Sequence, residues 1–369
     1  MRTIFRPTLT AVVAALGATL VACGGGGYGG GDMPAAVPPV VAPPVVASTL
    51  FKVTNLVGDI AGAATQTDAK LVNPWGIAFN PTGFVWVANN GSATSTLYDG
   101  NGVAQALVVA TPAAPTGIIY NGSSDFKITQ NGVTAASPFI FAGENGSISA
   151  WSPTVNRNNA LSIVASTVQA VYKGLAIATY NSVNYLYATD FHNNRIDVFD
   201  ASFNKATLPG AFQDTGLPAG YAPFGIQAVG DRIYVSYAQR ATVGDDDVKG
   251  AGLGVVDVFD TAGNLVKQLV KGGALNAPWG MAIAPANFGT YSGKLLVANF
   301  GDGKINAYDA ATGAAAGTLA KADGSAIFVD GLWGIAFGPG VNSQPTNTLF
   351  FTAGPGSEAH GLYGRIDTM

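Results

Sequence analysis

The side chains that could do acid–base or metal chemistry in this chain are few, and several of them end short apolar runs. Asp, Glu, Lys and Arg together make up 11% of the 369 residues, and the chain has two His and one Cys. Four runs end in an oxygen-bearing side chain: Asn89, Glu144, Asp190 and Asn299. Because Ca²⁺ takes about 6–8 oxygen ligands, these residues are candidate calcium ligands, although only Glu144 and Asp190 carry a carboxylate.

A second candidate cation site is the acidic run Asp245, Asp246 and Asp247, for which a solvated acidic turn is the alternative interpretation. Zinc fits the sequence poorly, because the two His have no available thiolate beside them. The chain also contains no Gly-x-Ser-x-Gly elbow, Walker loop or His-Glu-x-x-His motif. The residue types therefore favour oxygen ligands and hydrogen bonds, and they indicate no particular reaction.

The overall composition excludes two classes of protein. Hydrophobic residues make up 48% of the chain, enough to bury a large core, which excludes disorder throughout. The net charge is −4, and the 18 Lys and Arg are spread thinly. Nucleic-acid binding needs a basic stripe, and the sequence has none. We expect a globular, monomeric domain without a nucleic-acid partner.

Residues 1–22 are typical of a bacterial lipoprotein signal peptide. Arg2 and Arg6 precede the apolar run 9–20, which is short for a membrane span but suits the hydrophobic region of a signal. The following Leu-Val-Ala-Cys resembles a lipobox, which implies cleavage before Cys23 and lipidation of its sulfur. An ordinary secretory signal that happens to contain a Cys is the alternative. Stable anchoring needs more than one acyl chain, a condition that a triacylated cysteine meets.

Residues 23–47 are typical of a tether that follows the lipidated cysteine. Glycine dominates its first part, and Pro and Val dominate residues 34–46, a composition that favours flexible chain followed by extended polyproline II. Gly24 occupies the position where an Asp would retain a lipoprotein at the inner membrane. We therefore expect an exported protein, anchored by its lipid to the outer membrane of a Gram-negative bacterium, with residues 48–369 as the folded domain.

From Ser48 onward, six segments repeat one plan of short strands. Each contains a glycine within its first strand, and these signature glycines are Gly76, Gly117, Gly174, Gly225, Gly280 and Gly334. Their spacing of 41 to 57 residues, with several short strands per unit, is typical of a β-propeller. Asn-Gly pairs predict hairpins, and no long stretch has a helical period. The repeats predict an all-β, six-bladed propeller.

The segment 48–57 precedes the first repeat and belongs to no complete blade. Paired with residues 364–368, it would supply a missing strand of the last blade and remove an exposed edge. A loose leader strand is the alternative interpretation. We predict that this N-terminal strand closes the ring.

The repeat resembles the NHL class of propellers, whose pattern is a Pro-x-Gly-Ile-Ala strand, a Tyr-Val-Ala-Asp strand and an Ile-x-Val-Phe-Asp strand. More narrowly, several motifs resemble a family of secreted bacterial propellers of unassigned function; they include residues 188–193, 222–227, 273–280, 299–303 and 351–355. The resemblance covers about residues 50–367. It implies the fold and export, and it brings no established reaction.

The resemblance also implies which residues share a face. In NHL-like propellers the loops between second and third strands lie where the innermost strands begin, and we call this end the loop-bearing face. On this basis, a ligand-binding mouth at the axis is predicted, with His192, His360, Trp75, Trp279, Trp333 and Asp302 around it. The candidate calcium ligands share this face, where related calcium-dependent lactonase propellers hold their metal. Hairpin capping and inter-blade packing are the alternative roles for each residue.

Two functions fit these observations. The first is an envelope lipoprotein whose propeller binds a ligand, a glycan or an envelope protein through the loop-bearing face. The alternative is a calcium-dependent hydrolase, lactonase or lyase with its site at the same mouth. Because ionisable residues are few, the sequence favours the non-catalytic scaffold, with Ca²⁺ as the only cofactor that it suggests.

Overall fold

The repeats fold into antiparallel sheets, or blades, whose strands follow one another in chain order in blades 1 to 5, whereas blade 6 takes its outer strand from the N-terminal segment. The computed structural model describes residues 50–165 and 169–369; the expected signal peptide, lipidated cysteine and linker lie outside the described residues. The innermost strands of blades 1 to 6 are Pro74–Phe79, Pro115–Tyr120, Tyr172–Tyr180, Tyr221–Val229, Pro278–Ile283 and Leu332–Phe337. The second strands are Val85–Asn89, Phe139–Gly143, Val183–Asp190, Arg232–Gln239, Leu295–Asn299 and Leu349–Ala353.

The outer half of each blade is built from the next two strands. The third strands are Thr94–Tyr98, Ile148–Trp151, Arg195–Phe199, Val255–Asp260, Ile305–Tyr308 and Leu362–Thr368. The fourth strands are Ala104–Ala110, Leu161–Val164, Lys205–Ala206, Leu265–Lys271, Ala315–Thr318 and, in blade 6, Leu50–Gly58. Blade 2 also carries the hairpin Lys127–Gln130 with Val133–Ala136. The predicted all-β, six-bladed propeller is confirmed.

Helix is almost absent from the part of the chain that the structure describes. It consists of a 3-10 turn, Gly289–Tyr291. In residues 50–165 and 169–369, no helix has the length and apolar character needed to cross a membrane.

The N-terminal strand closes the ring as predicted. Leu50–Gly58 runs antiparallel to Leu362–Thr368, with Val53 opposite Ile366. The outer edge of the closing strand is itself covered at both ends, because the short strands Gln66–Thr67 and Ala320–Lys321 pair with it in parallel. This arrangement leaves little of the edge open to pairing with another chain.

The signature glycines allow the innermost strands to pack against one another. A Cβ added at Gly334 would lie 2.7 Å from the carbonyl oxygen of Trp75, which belongs to the first blade. The same holds at the other five glycines, where the added atom would meet the innermost strand of the following blade. At five of the six positions the contact would be shorter than 3.0 Å, which a real side chain cannot make, and at Gly174 it would be 3.0 Å, which is tighter than ordinary packing. Glycine is therefore needed at this register position, and the contact between Gly334 and Trp75 completes the circle.

Buried hydroxyl groups bind neighbouring blades together beside these glycines. The Thr352 Oγ1 accepts a hydrogen bond from the Gly334 N–H at 3.0 Å and donates one to the Trp75 carbonyl at 2.6 Å. Thr189 and Ser236 make the same bridge from blade 3 to blade 4 and from blade 4 to blade 5. These bridges satisfy backbone groups that would otherwise be buried without partners.

Candidate functional site

The loop-bearing face is defined by the strand pairing. In blade 1, for example, Pro74 at the start of the innermost strand pairs with Asn89 at the end of the second strand. The residue before each signature glycine therefore lies near the axis at this end. These six residues are Trp75, Thr116, Lys173, Phe224, Trp279 and Trp333.

The three tryptophans meet at the axis, as the resemblance implies, but they form a buried plug. The Trp75 and Trp333 rings stack with centroids 3.6 Å apart, and Phe300 stacks on Trp333 at 3.8 Å. Trp279 meets Trp333 edge to face at 5.7 Å. Only 1% of Trp333 and 8% of Trp279 are exposed. Large apolar rings held this close bury one another instead of offering a stacking surface to a ligand.

An ion pair between a buried lysine and a half-buried glutamate lies against this aromatic plug. The Lys173 Nζ donates a hydrogen bond to the Glu144 Oε1 at 2.7 Å, and it stands 4.9 Å from the centre of the Trp75 ring. Lys173 is only 4% exposed. An ammonium taken out of water is tolerated only with a close counter-charge, which Glu144 supplies, and the aromatic face adds to the attraction.

Hydrogen bonds extend this polar group around the axis to blade 6. The Asn90 Nδ2 donates to the Glu144 Oε2 at 3.0 Å, and the Asn73 Nδ2 donates to the Glu358 Oε2 at 2.8 Å. The Trp333 indole N–H donates to the Asn73 Oδ1 at 3.2 Å. Asn73 has a φ of 45°, a left-handed conformation that asparagine tolerates well. We call Asn73, Asn90, Glu144, Lys173 and Glu358 the mouth network.

The long loop 240–254 of blade 4 reaches the same plug. Its Arg240 guanidinium contacts the carbonyl oxygen of His192 in blade 3, and the Gly250 N–H donates to the Asn276 Oδ1 at 2.7 Å. The Lys249 Nζ lies 4.0 Å from the centre of the Phe300 ring. The loop is thus attached to both neighbouring blades, and it brings Lys249 onto the plug.

Asp247, in the same loop, has an unusual carboxyl group. Its Oδ2 is buried and has no hydrogen-bond partner among the described residues. Burial raises the pKa of Asp247 to about 6, although Lys249 and Lys173 act in the opposite direction. Trp75 offers the complementary group, because its indole Nε1 is buried and also lacks a partner in the described part of the chain.

The two histidines lie in equivalent loops of blades 3 and 6, and each is bound to a carboxylate. The His192 Nδ1 is 2.7 Å from the Asp245 Oδ1, and the His360 Nδ1 is 3.0 Å from the Asp59 Oδ2. Asp59 directly follows the closing strand, so His360 is bound toward the outside of its blade. Asp302 lies 3.0 Å from the Asn299 Nδ2 of its own loop. Ligand binding by these three residues stays a prediction.

The candidate calcium ligands bind mainly within their own blades. Asn89 donates to Thr96 at 2.9 Å, Asp190 accepts from Asn193 at 2.7 Å, and Asn299 donates to the carbonyl of Ala274 at 2.8 Å. Glu144 alone belongs to the mouth network. Nowhere in residues 50–165 and 169–369 do three Asp, Glu, His or Cys side chains form a group able to hold a metal. Asp246 is exposed, whereas Asp245 binds His192. Calcium binding stays a prediction without a shared ligand set.

Sequence reasoning missed Lys173 and Asn73, whereas the resemblance implied that Asn90 and Glu358 lie on the loop-bearing face. The signal for Lys173 was available in the alignment of the six repeats, because it is the only charged residue at the position before a signature glycine. Asn73 had no such signal, since asparagine beside a strand is more often a turn residue. Its role depends on Glu358, which lies far away in sequence.

Six four-stranded blades around a plugged axis define this chain as a six-bladed β-propeller. No family model matches it. The chain is 33% identical over 333 residues to the uncharacterized protein R648 of Acanthamoeba polyphaga mimivirus. The aligned residues cover 87% of this chain and 81% of that protein. It is 30% identical over 335 residues to the uncharacterized protein L690 of the same virus, covering 87% of this chain and 86% of that protein. The chain belongs to the family of these two proteins.

Solved structures show a more distant likeness. A catalytically inactive virginiamycin B lyase from Staphylococcus aureus has a TM-score of 0.49 and 15% identity, covering 86% of this chain and 99% of the lyase. The PQQ-bound aldose sugar dehydrogenase from Streptomyces coelicolor has a TM-score of 0.47 and 14% identity, covering 88% of this chain and 100% of the dehydrogenase.

Proposed function

We propose that this chain is a binding propeller whose ligand docks over the plug on the loop-bearing face. The observation that carries the proposal is the pair of buried polar atoms without partners, the Trp75 Nε1 donor and the Asp247 Oδ2 acceptor. Leaving such an atom unsatisfied costs about 1–3 kcal/mol. Both atoms are covered in this structure, so a ligand would reach them only if the loop 240–254 moved aside. A ligand that then supplied one acceptor and one donor would recover this free energy on binding.

The chemistry of the mouth favours a neutral, hydroxyl-rich ligand. A hydroxyl group both accepts and donates, as the Trp75 N–H and the Asp247 carboxylate require. The carboxylate of Glu144 is already paired with Lys173. Because the tryptophans are buried, the ligand would be held by hydrogen bonds more than by ring stacking. We therefore propose a glycan as the ligand class.

The experiment is a glycan screen with the purified protein, followed by titration of each hit. Trp75→Phe keeps an aromatic ring but removes the N–H, and Asp247→Ala removes the acceptor. Each is expected to weaken binding by about tenfold, the loss of one hydrogen bond to a buried group. Asp246→Ala, in the same loop but exposed, is the matched control and should bind normally. Absence of any glycan hit would overturn the ligand class, and equal binding by all variants would overturn the site.

One observation favours an enzyme as the second candidate. A carboxyl group with a pKa raised to about 6 by burial, within the electrostatic influence of Lys173, is suited to general acid–base chemistry. A hydrolase or lyase acting on lactones or similar substrates would use Asp247 in that role. Such an enzyme should show a rate that changes near pH 6, and Asp247→Asn should remove both the activity and the inflection. Elemental analysis of the purified protein would test for calcium independently.

We also propose that the propeller is exported and anchored to the cell envelope by a lipid on Cys23. The support is the lipobox-like sequence after an apolar run, in residues outside the described part of the chain. Wild-type protein should incorporate a palmitate analogue in a bacterial host, and Cys23→Ser should not. Equal labelling of both proteins would contradict the anchor.

A further inference from the structure

The axial channel has a cavity at the end opposite the loop-bearing face. Its wider part has a volume of about 240 Å³, and its wall includes Ile77, Phe79, Ile118, Tyr120, Ile177 and Gln227. A narrower part of about 40 Å³ continues inward to the signature glycines and Trp279. Ile77, Ile118 and Gln227 line both parts, so the two form one space. The aromatic plug lies at its inner end.

The side chains in the wall of this cavity are mostly apolar, and they share the wall with backbone groups of the innermost strands and with the side chain of Gln227. Most of the lining residues are Ile, Leu, Ala or Phe. The Gln227 Nε2 donates to the carbonyl oxygen of Ala228 at 3.1 Å. The carboxamide oxygen of Gln227 accepts no hydrogen bond from the described residues. Gln227 is exposed, so a ligand can reach this oxygen from solvent. The apolar side chains offer water few of the hydrogen bonds that it makes in bulk, so displacement of the water beside them is favourable.

We propose that this channel binds a small aromatic or alicyclic molecule that carries one hydroxyl or N–H donor. An apolar cavity of roughly 150 Å³ can hold benzene, so the larger space here is suited to a bicyclic ring. The donor would bind the Gln227 oxygen, and the rings would replace water along the isoleucines. Five of the six innermost strands contribute to the wall of the wider part, and neighbouring strands are in direct contact, so the site is formed before the ligand enters.

This site is independent of the glycan site, because none of the mouth network lines the channel. The two proposals can therefore fail separately. A channel variant should change the binding of aromatic probes and leave glycan binding as in the wild type.

The experiment uses 2-naphthol and naphthalene as probes, with the full chain and calorimetry or probe fluorescence as the readout. Wild type should bind both saturably, and 2-naphthol about fivefold more tightly, the effect of one neutral hydrogen bond. Gln227→Leu keeps the size of the side chain but removes the acceptor. It should bring the affinity for 2-naphthol down to that for naphthalene and leave naphthalene binding unchanged.

A second variant fills the channel directly. Ala228 lines the wider part, and Ala228→Trp should weaken both probes by about tenfold or more, since a buried ring of this size replaces the ligand. Val266→Trp, at a residue that is 51% exposed on an outer strand, adds the same ring elsewhere and should bind normally. Normal binding by Ala228→Trp, or a preference for 2-naphthol that survives Gln227→Leu, would overturn the proposal. If Ala228→Trp fails to fold, the Gln227→Leu result decides.

Discussion

The two ends of the axial channel are built from adjacent positions of the same six repeats, yet one is closed and the other is open. Residues just before the signature glycines, such as Trp75 and Trp333, are large and fill the axis. Residues just after the glycines, such as Ile77 and Ile118, are smaller and leave a cavity. Side-chain size, more than the architecture, therefore decides where this propeller channel closes.

The two ends also differ in charge. The closed end carries the ion pair of Lys173 with Glu144, together with Asp247 and Glu358. No Asp, Glu, Lys or Arg lines the part of the channel at the open end. The two ends of one axis therefore present different chemistry, ionised side chains at one and uncharged side chains at the other.

The largest expected effect comes from opening the ring, which would destroy both ends together. Deletion of residues 48–57 would expose the third strand of blade 6 and remove buried Phe51 and Val57. We expect the loss of cooperative thermal unfolding, monitored by circular dichroism and calorimetry. Deletion of residues 34–46, the predicted linker, is the control. A closing-strand deletion that melts like the wild type would show that the strand contributes little to the ring.

The next largest effect separates the two ends. Trp333→Ala should destabilise the protein by about 3–5 kcal/mol, because it removes the ring on which Trp75 and Phe300 stack. Ile177→Ala, in the partly exposed wall of the open end, should cost about 1 kcal/mol. Urea unfolding measures both free energies. Similar values for the two variants would contradict the distinction between a packed plug and an open channel.

A smaller effect tests the charge at the closed end. Glu144→Leu should cost about 2 kcal/mol, because it leaves the buried Lys173 ammonium without its counter-charge. Lys173→Met should cost less than about 1 kcal/mol, since it replaces the cation by an apolar chain of similar length. Urea unfolding of the two variants gives the comparison. A larger loss for Lys173→Met would mean that Lys173 packs against Trp75 chiefly through its methylene groups.

The smallest effect is the pH dependence of the mouth. The pKa of Asp247 is about 6 in the folded chain because of burial, against an ordinary value of 3.8. The folded state therefore binds a proton that the unfolded state has released, and stability should fall as pH rises from about 4 to about 6. Asp247→Asn should remove this decline from the pH dependence of the unfolding free energy.

Asp257 in blade 4 supplies a background for that measurement. Burial and the nearby Asp214 raise the pKa of Asp257 to about 8. The decline in stability that Asp257 causes therefore extends from about pH 4 to about pH 8, and it is present in every Asp247 variant. The quantity to compare is therefore the difference between wild type and Asp247→Asn at each pH. A difference that does not change between pH 4 and pH 6 would contradict the raised pKa of Asp247.

The sequence was sufficient to predict the strands, the number of blades and the closing strand. These features depend on local patterns: apolar runs of strand length, glycines at a repeated register and one unmatched strand at residues 48–57. The meeting of Trp75, Trp279 and Trp333 at the axis was implied by the resemblance to NHL propellers. Their burial was not predicted, because it depends on how many rings from different blades share the axis, including Phe300 from a loop.

The repeats in the sequence therefore specify the ring, whereas the chemistry at its two ends depends on the tertiary structure. Lys173 pairs with Glu144, and Asn73 with Glu358, because blade packing brings together residues that are 29 and 285 positions apart. The cavity at the opposite end is also formed by several innermost strands together. The contribution of one strand does not predict its volume. A repeat pattern specifies each blade separately, whereas burial, pairing and cavity volume are properties of the closed circle.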